Sequence, residues 1–212
     1  MKKLVIVGAG GLGRETAALV EAINAAGLGS WEIVGFADDD AALHGTRVQG
    51  LPVRGNVASL VRERDLYYVL AVGASRVRRQ LGGRLAEAPL EAATLIHPSV
   101  DVHPTTRIGP GTMLCQGVAL TVSIMLGRHV ILNLNSTVGH DAYLADYATA
   151  HPGAHVSGFT RIGTAAELGA RCVVLPGISV GEETIVGAGA VVNRDLPERC
   201  TAVGVPARPI VR

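Results

Sequence analysis

The sequence has little charge and few aromatic rings. Lys, Arg, Asp and Glu make up 17% of its 212 residues, and the formal net charge is +1. This balance gives no sign of nucleic-acid binding or of an acidic tail, although a local site for an anionic substrate needs no global charge. Aromatic residues make up only 3%, which fits a core too narrow to hold rings.

Paired cysteines and long apolar runs are also missing. Cys115, Cys172 and Cys200 show neither paired nor C-x-x-C spacing, so we expect a reduced, cytoplasmic setting. No segment reaches 18 uninterrupted apolar residues, so we expect no membrane span. The N-terminus resembles a signal peptide only until Arg14 and Glu15 interrupt its apolar run.

What the sequence does contain is an aliphatic residue at every sixth position from Ile96 to Val192. Of these seventeen positions only Ala150 is not Ile, Leu or Val. The position four residues later is small or β-branched over most of the stretch. A period of six predicts a left-handed parallel β-helix with three short strands in each 18-residue coil. Coils should stack about 4.8 Å apart, so that residue n lies beside residue n+18.

The first 95 residues follow a different pattern. The predicted elements are strands 4–7, 31–36 and 67–72 and helices 14–26 and 76–86. A Gly-rich turn, residues 8–13, joins the first strand to the first helix, and the second strand ends in three aspartates, residues 38–40. In this context the glycines let the backbone approach a phosphate, and the helix N-terminus offers free N–H groups.

A G-x-G-x-x-G turn in this setting commonly indicates a dinucleotide dehydrogenase. The α/β part ends near Leu95, however, whereas a dinucleotide fold needs two mononucleotide halves. A nucleotide-sugar site fits better, and a tight turn without a ligand is the alternative. We therefore predict a Rossmann-like domain with a short parallel sheet at 1–95 and a β-helix domain at 96–212. The β-helix should end near Asn193. The tail after it should form a cap, and its prolines, Pro206 and Pro209, should prevent further strand pairing.

The 18-residue period also predicts a reactive pair. It brings His140 beside Gly158, whose missing side chain leaves a notch and an open amide, and Asp141 follows the histidine directly. A histidine–carboxylate pair beside an open amide suits general-base acyl transfer. A zinc site would need three converging imidazoles, but His140, His151 and His155 share no stacked column, so we expect no metal. The other histidines are interpreted as structural: His97 and His103 on turns, His44 in a loop, His129 and His155 on the surface, and His151 either in the same cleft or capping a turn.

Together these features resemble the sugar O- and N-acetyltransferases of the sialic-acid O-acetyltransferase group, also called the bacillosamine acetyltransferase-like family. The resemblance covers essentially the whole chain. Besides the hexapeptide ladder, it rests on residues 8–13, Asp38 with Asp39, residues 71–73 and 96–99, Asn133, residues 139–141 and 152–154, Gly158 and residues 203–207.

The resemblance implies a homotrimer that holds acetyl-CoA in the groove between neighbouring β-helices and a nucleotide-sugar in the first domain. It implies His140 as the base and Asp141 as its partner. The implied acetyl-CoA residues are Thr149, Gly158, Ala170 and Ala188, and the implied substrate residues are Gly11, Leu12, Gly13, Asp38, Asp39, Gly73 and Asn133. Many members carry a second histidine nine residues after the base, where this chain has Thr149.

The leading interpretation is an acetyl-CoA-dependent N-acetyltransferase acting on a nucleotide-linked amino sugar of a surface-polysaccharide or glycan pathway. Transfer should be direct, because Cys172 occupies an inward slot and offers no covalent nucleophile. Two alternatives stay open: O-acetylation of a sialic-acid-type sugar by the same base, and a non-catalytic nucleotide-sugar-binding scaffold. The sequence names neither the sugar, nor the nucleotide, nor the size of the acyl group.

Overall fold

The computed structural model describes residues 1–210 and divides the chain into two compact units, Met1–Pro98 and Ser99–Arg212. The first unit contains the α/β elements, and the second contains the six-residue repeats. The predicted second domain ends with Val211 and Arg212, which lie outside the described residues. The assignment of nucleotide-sugar binding to 1–95 and of acetyl transfer to 96–212 remains a prediction.

The first unit is built on a short parallel sheet. Its elements are β1 (Lys2–Val7), α1 (Gly11–Ala25), β2 (Trp31–Ala37), a 3-10 turn (Ala41–Leu43), β3 (Arg47–Val48), β4 (Leu51–Pro52), a 3-10 turn (Val57–Arg62), β5 (Tyr67–Leu70), α2 (Ser75–Leu85), β6 (Glu91–Ala92) and β7 (Leu95–Ile96). The sheet order is β2-β1-β5-β6, and all three pairings are parallel. β1 is central because its last four residues are apolar and fully buried, as a strand covered on both faces requires.

The first helix begins earlier than the sequence predicted. α1 starts at Gly11 rather than Arg14, so Gly11, Leu12 and Gly13 form its first turn. In this conformation Gly13 lies so close to the carbonyl oxygen of Gly8 that a side chain at Gly13 would collide with it. Glycine has no side chain and therefore permits this close contact. The N–H groups of this first turn therefore have no intrahelical acceptor.

The second unit is a triangular parallel β-helix of two-residue strands. These are β8 (Arg107–Ile108), β9 (Met113–Leu114), β10 (Ala119–Leu120), β11 (Met125–Leu126), β12 (Ile131–Leu132), β13 (Thr137–Val138), β14 (Tyr143–Leu144), β15 (Thr149–Ala150), β16 (His155–Val156), β17 (Arg161–Ile162), β18 (Glu167–Leu168), β19 (Val173–Val174), β20 (Ser179–Val180), β21 (Ile185–Val186) and β22 (Val191–Val192). The first face contains β10, β13, β16, β19 and β22; the second contains β8, β11, β14, β17 and β20; the third contains β9, β12, β15, β18 and β21.

The register confirms the predicted 18-residue stacking. Ile131 pairs with Met113 on one side and with Thr149 on the other, in parallel. The aliphatic column points inward, as Leu132 and Val174 show by their complete burial, and the small column fills the second inward slot, as at Ala148. The core is narrow because three short strands enclose it, which agrees with the low aromatic content.

Each turn of the β-helix contains one residue with a positive φ. These residues recur every six positions from Gly111 to Gly189, and those that are not glycine have φ between 53° and 62°. They include Asp141, Tyr147 and Phe159. Left-handed backbone is unfavourable for bulky side chains, so the corners of the prism are held there by the strand pairing on either side.

The end of the β-helix differs from the prediction. Pairing continues beyond Asn193, because β23 (Thr201–Val203) adds to β21 in parallel. β24 (Arg208–Pro209) then pairs antiparallel with β23. The expectation that prolines exclude pairing here was wrong, because an edge position does not need the missing N–H of Pro209. No helix within residues 1–210 is both long and apolar enough to cross a membrane.

His129 was also predicted wrongly, as a surface residue. Its side chain is 1% exposed. The ring lies over Gly111, one coil away, which has no side chain to exclude it. On the other side it stacks on Tyr147, with ring centroids 5.1 Å apart. A glycine below and an aromatic ring above therefore turn a corner histidine into a packed residue.

Candidate functional sites

In the β-helix unit, His140 and Asp141 form a pair at the corner between the first and second faces. Nδ1 of His140 lies 2.9 Å from Oδ2 of Asp141. Since a carboxylate only accepts, Nδ1 carries the proton and Nε2 is left as the open acceptor of the ring. The φ of Asp141 is 59°, a left-handed conformation that aspartate tolerates better than most residues. The imidazole is 53% exposed, so a substrate can approach it.

Gly158 lies one coil from His140 at the same corner, as its spacing predicted. A Cβ on Gly158 would lie 2.8 Å from both Cε1 and Nε2 of the imidazole. The missing side chain therefore makes room for the ring. Among residues 1–210 we find no acceptor for the Gly158 amide, so this N–H can donate to a ligand.

Phe159 is a neighbour of the imidazole that the sequence analysis missed. Its ring meets that of His140 edge-on, with centroids 5.0 Å apart and planes at 88°. Its amide donates to the carbonyl of His140 at 2.9 Å. The side chain is nevertheless 62% exposed. Phe159 thus holds one edge of the imidazole while it presents an apolar surface beside it. The sequence contained a signal for this contact, since Phe159 directly follows Gly158, the predicted neighbour of His140.

The other predicted residues of this unit lie elsewhere on the prism. Asn133, Ala170 and Ala188 occupy turns between the third and first faces, one corner away from His140. Thr149 lies in β15 on the third face and is 1% exposed, so the chain as it stands offers its hydroxyl to no ligand. A single chain therefore does not bring these four residues together with the His140 pair. Their binding roles stay predictions.

His151 and Cys172 take no part in the His140 pair. Nε2 of His151 lies 3.7 Å from Oε2 of Glu167. The thiol of Cys172 is buried in an inward slot, and burial raises its pKa to about 12. Such a thiol is not a nucleophile at neutral pH. Across residues 1–210, no three His, Cys, Asp or Glu side chains are grouped closely enough to hold a metal ion.

The first unit contains a cavity of about 390 Å³ at the carboxyl ends of β1, β2 and β5. Its lining includes most of the residues predicted to bind a nucleotide-sugar: Gly11, Leu12, Asp38, Asp39 and Gly73. Gly13 is absent from the lining because it packs against Gly8. Cavities at this edge of a parallel sheet are the usual ligand sites of α/β folds.

The two aspartates of the cavity are already engaged. Asp38 accepts from the amides of Ala9 and Asp40, at 2.8 and 2.9 Å, and so ties the glycine turn to the end of β2. Asp39 accepts from the amide of Val57 at 3.0 Å and from both terminal nitrogens of Arg84. The hydrogen bond from Arg84 holds the pKa of Asp39 below its usual range. Carboxylate oxygens have further lone pairs, so both can still accept from a ligand.

Comparison with known proteins identifies the family. Residues 3–85 match the family model described as the PglD N-terminal domain. Over 98% of this chain and 96% of the relative, the sequence is 30% identical to the GDP-perosamine N-acetyltransferase of Escherichia coli O157:H7. The chain belongs to the hexapeptide-repeat sugar acetyltransferases. The predicted family and the predicted enzyme class, acetyltransferase, are thereby confirmed.

Solved structures of acetyltransferases agree over nearly the full chain. The acetyltransferase domain of PglB from Neisseria gonorrhoeae FA1090, in complex with acetyl coenzyme A, is 33% identical over 99% of each chain, with a TM-score of 0.86. PerB from Caulobacter crescentus, in complex with CoA and GDP-perosamine, is 33% identical over 99% of this chain and 97% of its own, with a TM-score of 0.85. These matches confirm the predicted fold class, a Rossmann-like parallel sheet followed by a left-handed β-helix.

Proposed function

We propose that this acetyltransferase moves the acetyl group of acetyl-CoA to the amino group of a nucleotide-linked sugar. The observation that carries the proposal is the His140–Asp141 pair beside Gly158, whose amide has no acceptor within residues 1–210. The relatives support the substrate class, because the Escherichia coli relative is named a GDP-perosamine N-acetyltransferase and PerB was solved with CoA and GDP-perosamine.

The geometry fits a direct transfer. The nitrogen of the sugar amine attacks the thioester carbonyl carbon, while Nε2 of His140 takes its proton. Negative charge develops on the carbonyl oxygen, where the amide of Gly158 is free to donate. The carbon–sulfur bond then breaks and CoA leaves as the thiol, with the proton returned through the imidazole. Cys172 plays no part, since its thiol is buried and protonated.

Asp141 holds the proton on Nδ1 throughout this sequence. Nε2 therefore stays the basic nitrogen, and the imidazolium that forms lies beside a negative charge. The edge of Phe159 restricts rotation of the same ring. The base is thus oriented before the substrates arrive, which lowers the entropic barrier to reaction.

We further propose that the working enzyme is a homotrimer in which two neighbouring chains complete each acetyl-CoA site. The predicted acetyl-CoA residues Ala170 and Ala188 lie one corner away from His140 within a chain, which favours a ligand that contacts His140 of one chain and these residues of its neighbour. The corner at His140 and the second face next to it also expose apolar side chains. These are Val122, Met125, Tyr143, Phe159 and Leu175. Apolar surface of this kind on one chain is typical of a subunit interface.

The test combines acetyl-CoA with UDP-, GDP- and dTDP-linked amino sugars and follows the release of CoA thiol. Release with at least one of them supports the proposal. Transfer only to hydroxyl acceptors such as a sialic acid would make the protein an O-acetyltransferase instead. Binding of a nucleotide-sugar with no thiol release from any acceptor would indicate a non-catalytic scaffold. Light scattering coupled to gel filtration measures the oligomeric state, and a monomer would contradict the shared site.

A further inference from the structure

Arg78 is a buried charged residue that the proposed chemistry does not use. It is the fourth residue of α2, and its side chain is 0% exposed. Nη1 donates to the carbonyl oxygen of Val72 at 2.8 Å and to that of Gly73 at 3.1 Å. Both acceptors belong to the loop between β5 and α2, and both residues line the cavity of the first unit. One guanidinium nitrogen therefore fixes two successive peptide groups of the cavity wall.

The orientation of those peptides follows from their planarity. Both are trans, since the one cis peptide of the described chain is at Val205–Pro206. In a trans peptide the N–H points opposite to the C=O. Because the carbonyls of Val72 and Gly73 face Arg78, the N–H groups of Gly73 and Ala74 face away from it. In residues 1–210 neither amide has an acceptor.

A second set of open amides lines the same cavity. Gly11 and Leu12 belong to the first turn of α1, where the N–H groups have no intrahelical acceptor. β1 and β5 are adjacent and parallel, so the loops that follow them leave the same edge of the sheet. Open amides from two loops, those of Gly11, Leu12 and Gly73, therefore belong to residues that line one cavity.

We infer that Arg78 is a positioning residue for the nucleotide-sugar, and that the part of the ligand it serves is the diphosphate. By holding the carbonyls of Val72 and Gly73, it turns the amides of Gly73 and Ala74 toward the phosphate oxygens. Successive backbone N–H groups are effective hydrogen-bond donors to anions. The guanidinium does not deprotonate, so this arrangement persists over the whole working pH range. The inference rests on the proposed function, because it assigns a role within the same site.

The experiment compares diphosphates with nucleosides by calorimetry, using UDP, GDP, uridine and guanosine as the probes. In Arg78→Met an unbranched apolar side chain replaces the guanidinium and donates nothing. Loss of oriented donors to a charged oxygen should weaken binding of the preferred diphosphate about tenfold or more and leave nucleoside binding unchanged. In turnover assays KM for the nucleotide-sugar should rise, while kcat and KM for acetyl-CoA stay as in the wild type. Arg78→Lys should recover part of the loss, and Arg79→Met, an exposed neighbour on α2, should have no effect.

A second variant removes one donor without touching the buried charge. Ala74 has φ −65° and ψ 110°, which a proline ring adopts without strain. Ala74→Pro therefore deletes only the N–H and should also lower the preference for diphosphate over nucleoside. It decides the question if Arg78→Met does not fold.

The outcomes separate this inference from the proposed function. A wild-type protein that binds neither UDP nor GDP, and no nucleotide-sugar, would overturn the proposed function itself. A wild-type protein that binds a diphosphate, with folded variants of Arg78 and Ala74 that bind it equally well, would overturn only the role of Arg78.

Discussion

The two units of the acetyltransferase assemble their candidate sites in different ways. In the β-helix, His140 meets Gly158 because neighbouring coils are in register, and a distance of 18 residues along the chain becomes contact in space. In the α/β unit, Asp39 meets Arg84 across 45 residues through the packing of a loop against a helix. The first arrangement is set by a repeat, whereas the second depends on the particular fold of one helix.

This difference separates two sources of precision. A repeat fixes where each side chain starts, as the stacking of His140 beside Gly158 shows. An α/β cavity is not built from regularly stacked coils, so buried side chains must hold its loops in place.

Replacing the base should have the largest effect. His140→Ala removes the proton acceptor, and kcat should fall by about 10³-fold with the oligomer and the Kd for nucleotide-sugar unchanged. Release of CoA thiol measures the rate. His155→Ala is the matched control, because His155 is an exposed histidine on the first face whose ring contacts Thr137. Wild-type turnover in the His140 variant would remove the imidazole from the mechanism.

Adding a side chain at Gly158 should have the second-largest effect on turnover. In Gly158→Ala the new methyl group would lie 2.8 Å from the imidazole, so the ring must move. A displacement of this size should lower kcat about 10²-fold with little effect on KM. Gly83→Ala serves as the control, since its added Cβ has no atom within 4 Å other than those of its neighbours in the chain and of its own helix backbone. If Gly158→Ala keeps full activity although a crystal structure shows the imidazole of His140 displaced, the register between coils is not what positions the base.

The Asp39–Arg84 pair should give a smaller effect. The pair is half-exposed, so its contribution is about 1 kcal/mol or less, and Arg84→Gln should raise KM for the nucleotide-sugar by no more than about fivefold. The pKa of Asp39, which Arg84 holds low, should return toward its usual range. The carboxylate should then take up a proton at higher pH than in the wild type as the pH falls.

Calorimetry of nucleotide-sugar binding from neutral to acidic pH measures this change. The variant should lose affinity at a higher pH than the wild type. The same sign applies to folding, because a lowered pKa stabilises the folded state above the unfolded pKa and this contribution is lost as the pH falls through the folded value. Arg76→Gln, an exposed position on α2, is the control. Identical pH profiles for Arg84→Gln and wild type would exclude Asp39 from binding.

Cys172 should have the smallest effect on activity. Because burial raises the pKa of its thiol to about 12, alkylating reagents at pH 8 should not modify it in the folded protein. Cys172→Ala should keep wild-type kcat and lose about 1 kcal/mol of stability through the small cavity. Mass spectrometry after alkylation and denaturant unfolding measure the two quantities. Loss of turnover in a folded, assembled variant would reinstate a covalent route.

The sequence predicted the parts of the molecule that repeat. The six-residue ladder located the β-helix, its coil length and the approach of Gly158 to His140, because in-register stacking converts sequence distance into position. It also contained signals that were overlooked. Gly111 and Tyr147 lie 18 residues before and after His129, and together they account for its burial.

Other features of the structure could not be predicted from the sequence. Helical periodicity does not reveal that Arg78 points inward, because its acceptors are carbonyl oxygens, which every residue has. The partnership of Asp39 with Arg84 likewise depends on how α2 packs against the loop after β2. The start of α1 at Gly11 depends on a close approach to Gly8 that glycine allows but does not require.

The left-handed corners have a practical consequence for engineering heat tolerance. Each non-glycine residue at a corner carries backbone strain of about 1 kcal/mol, and asparagine or glycine relieves it. Glu183, with φ 54°, lies at the corner between the second and third faces, away from the His140 pair. Replacing Glu183 by asparagine or glycine should therefore raise resistance to heat while leaving catalysis intact, whereas the same change at Asp141 would remove a reacting partner.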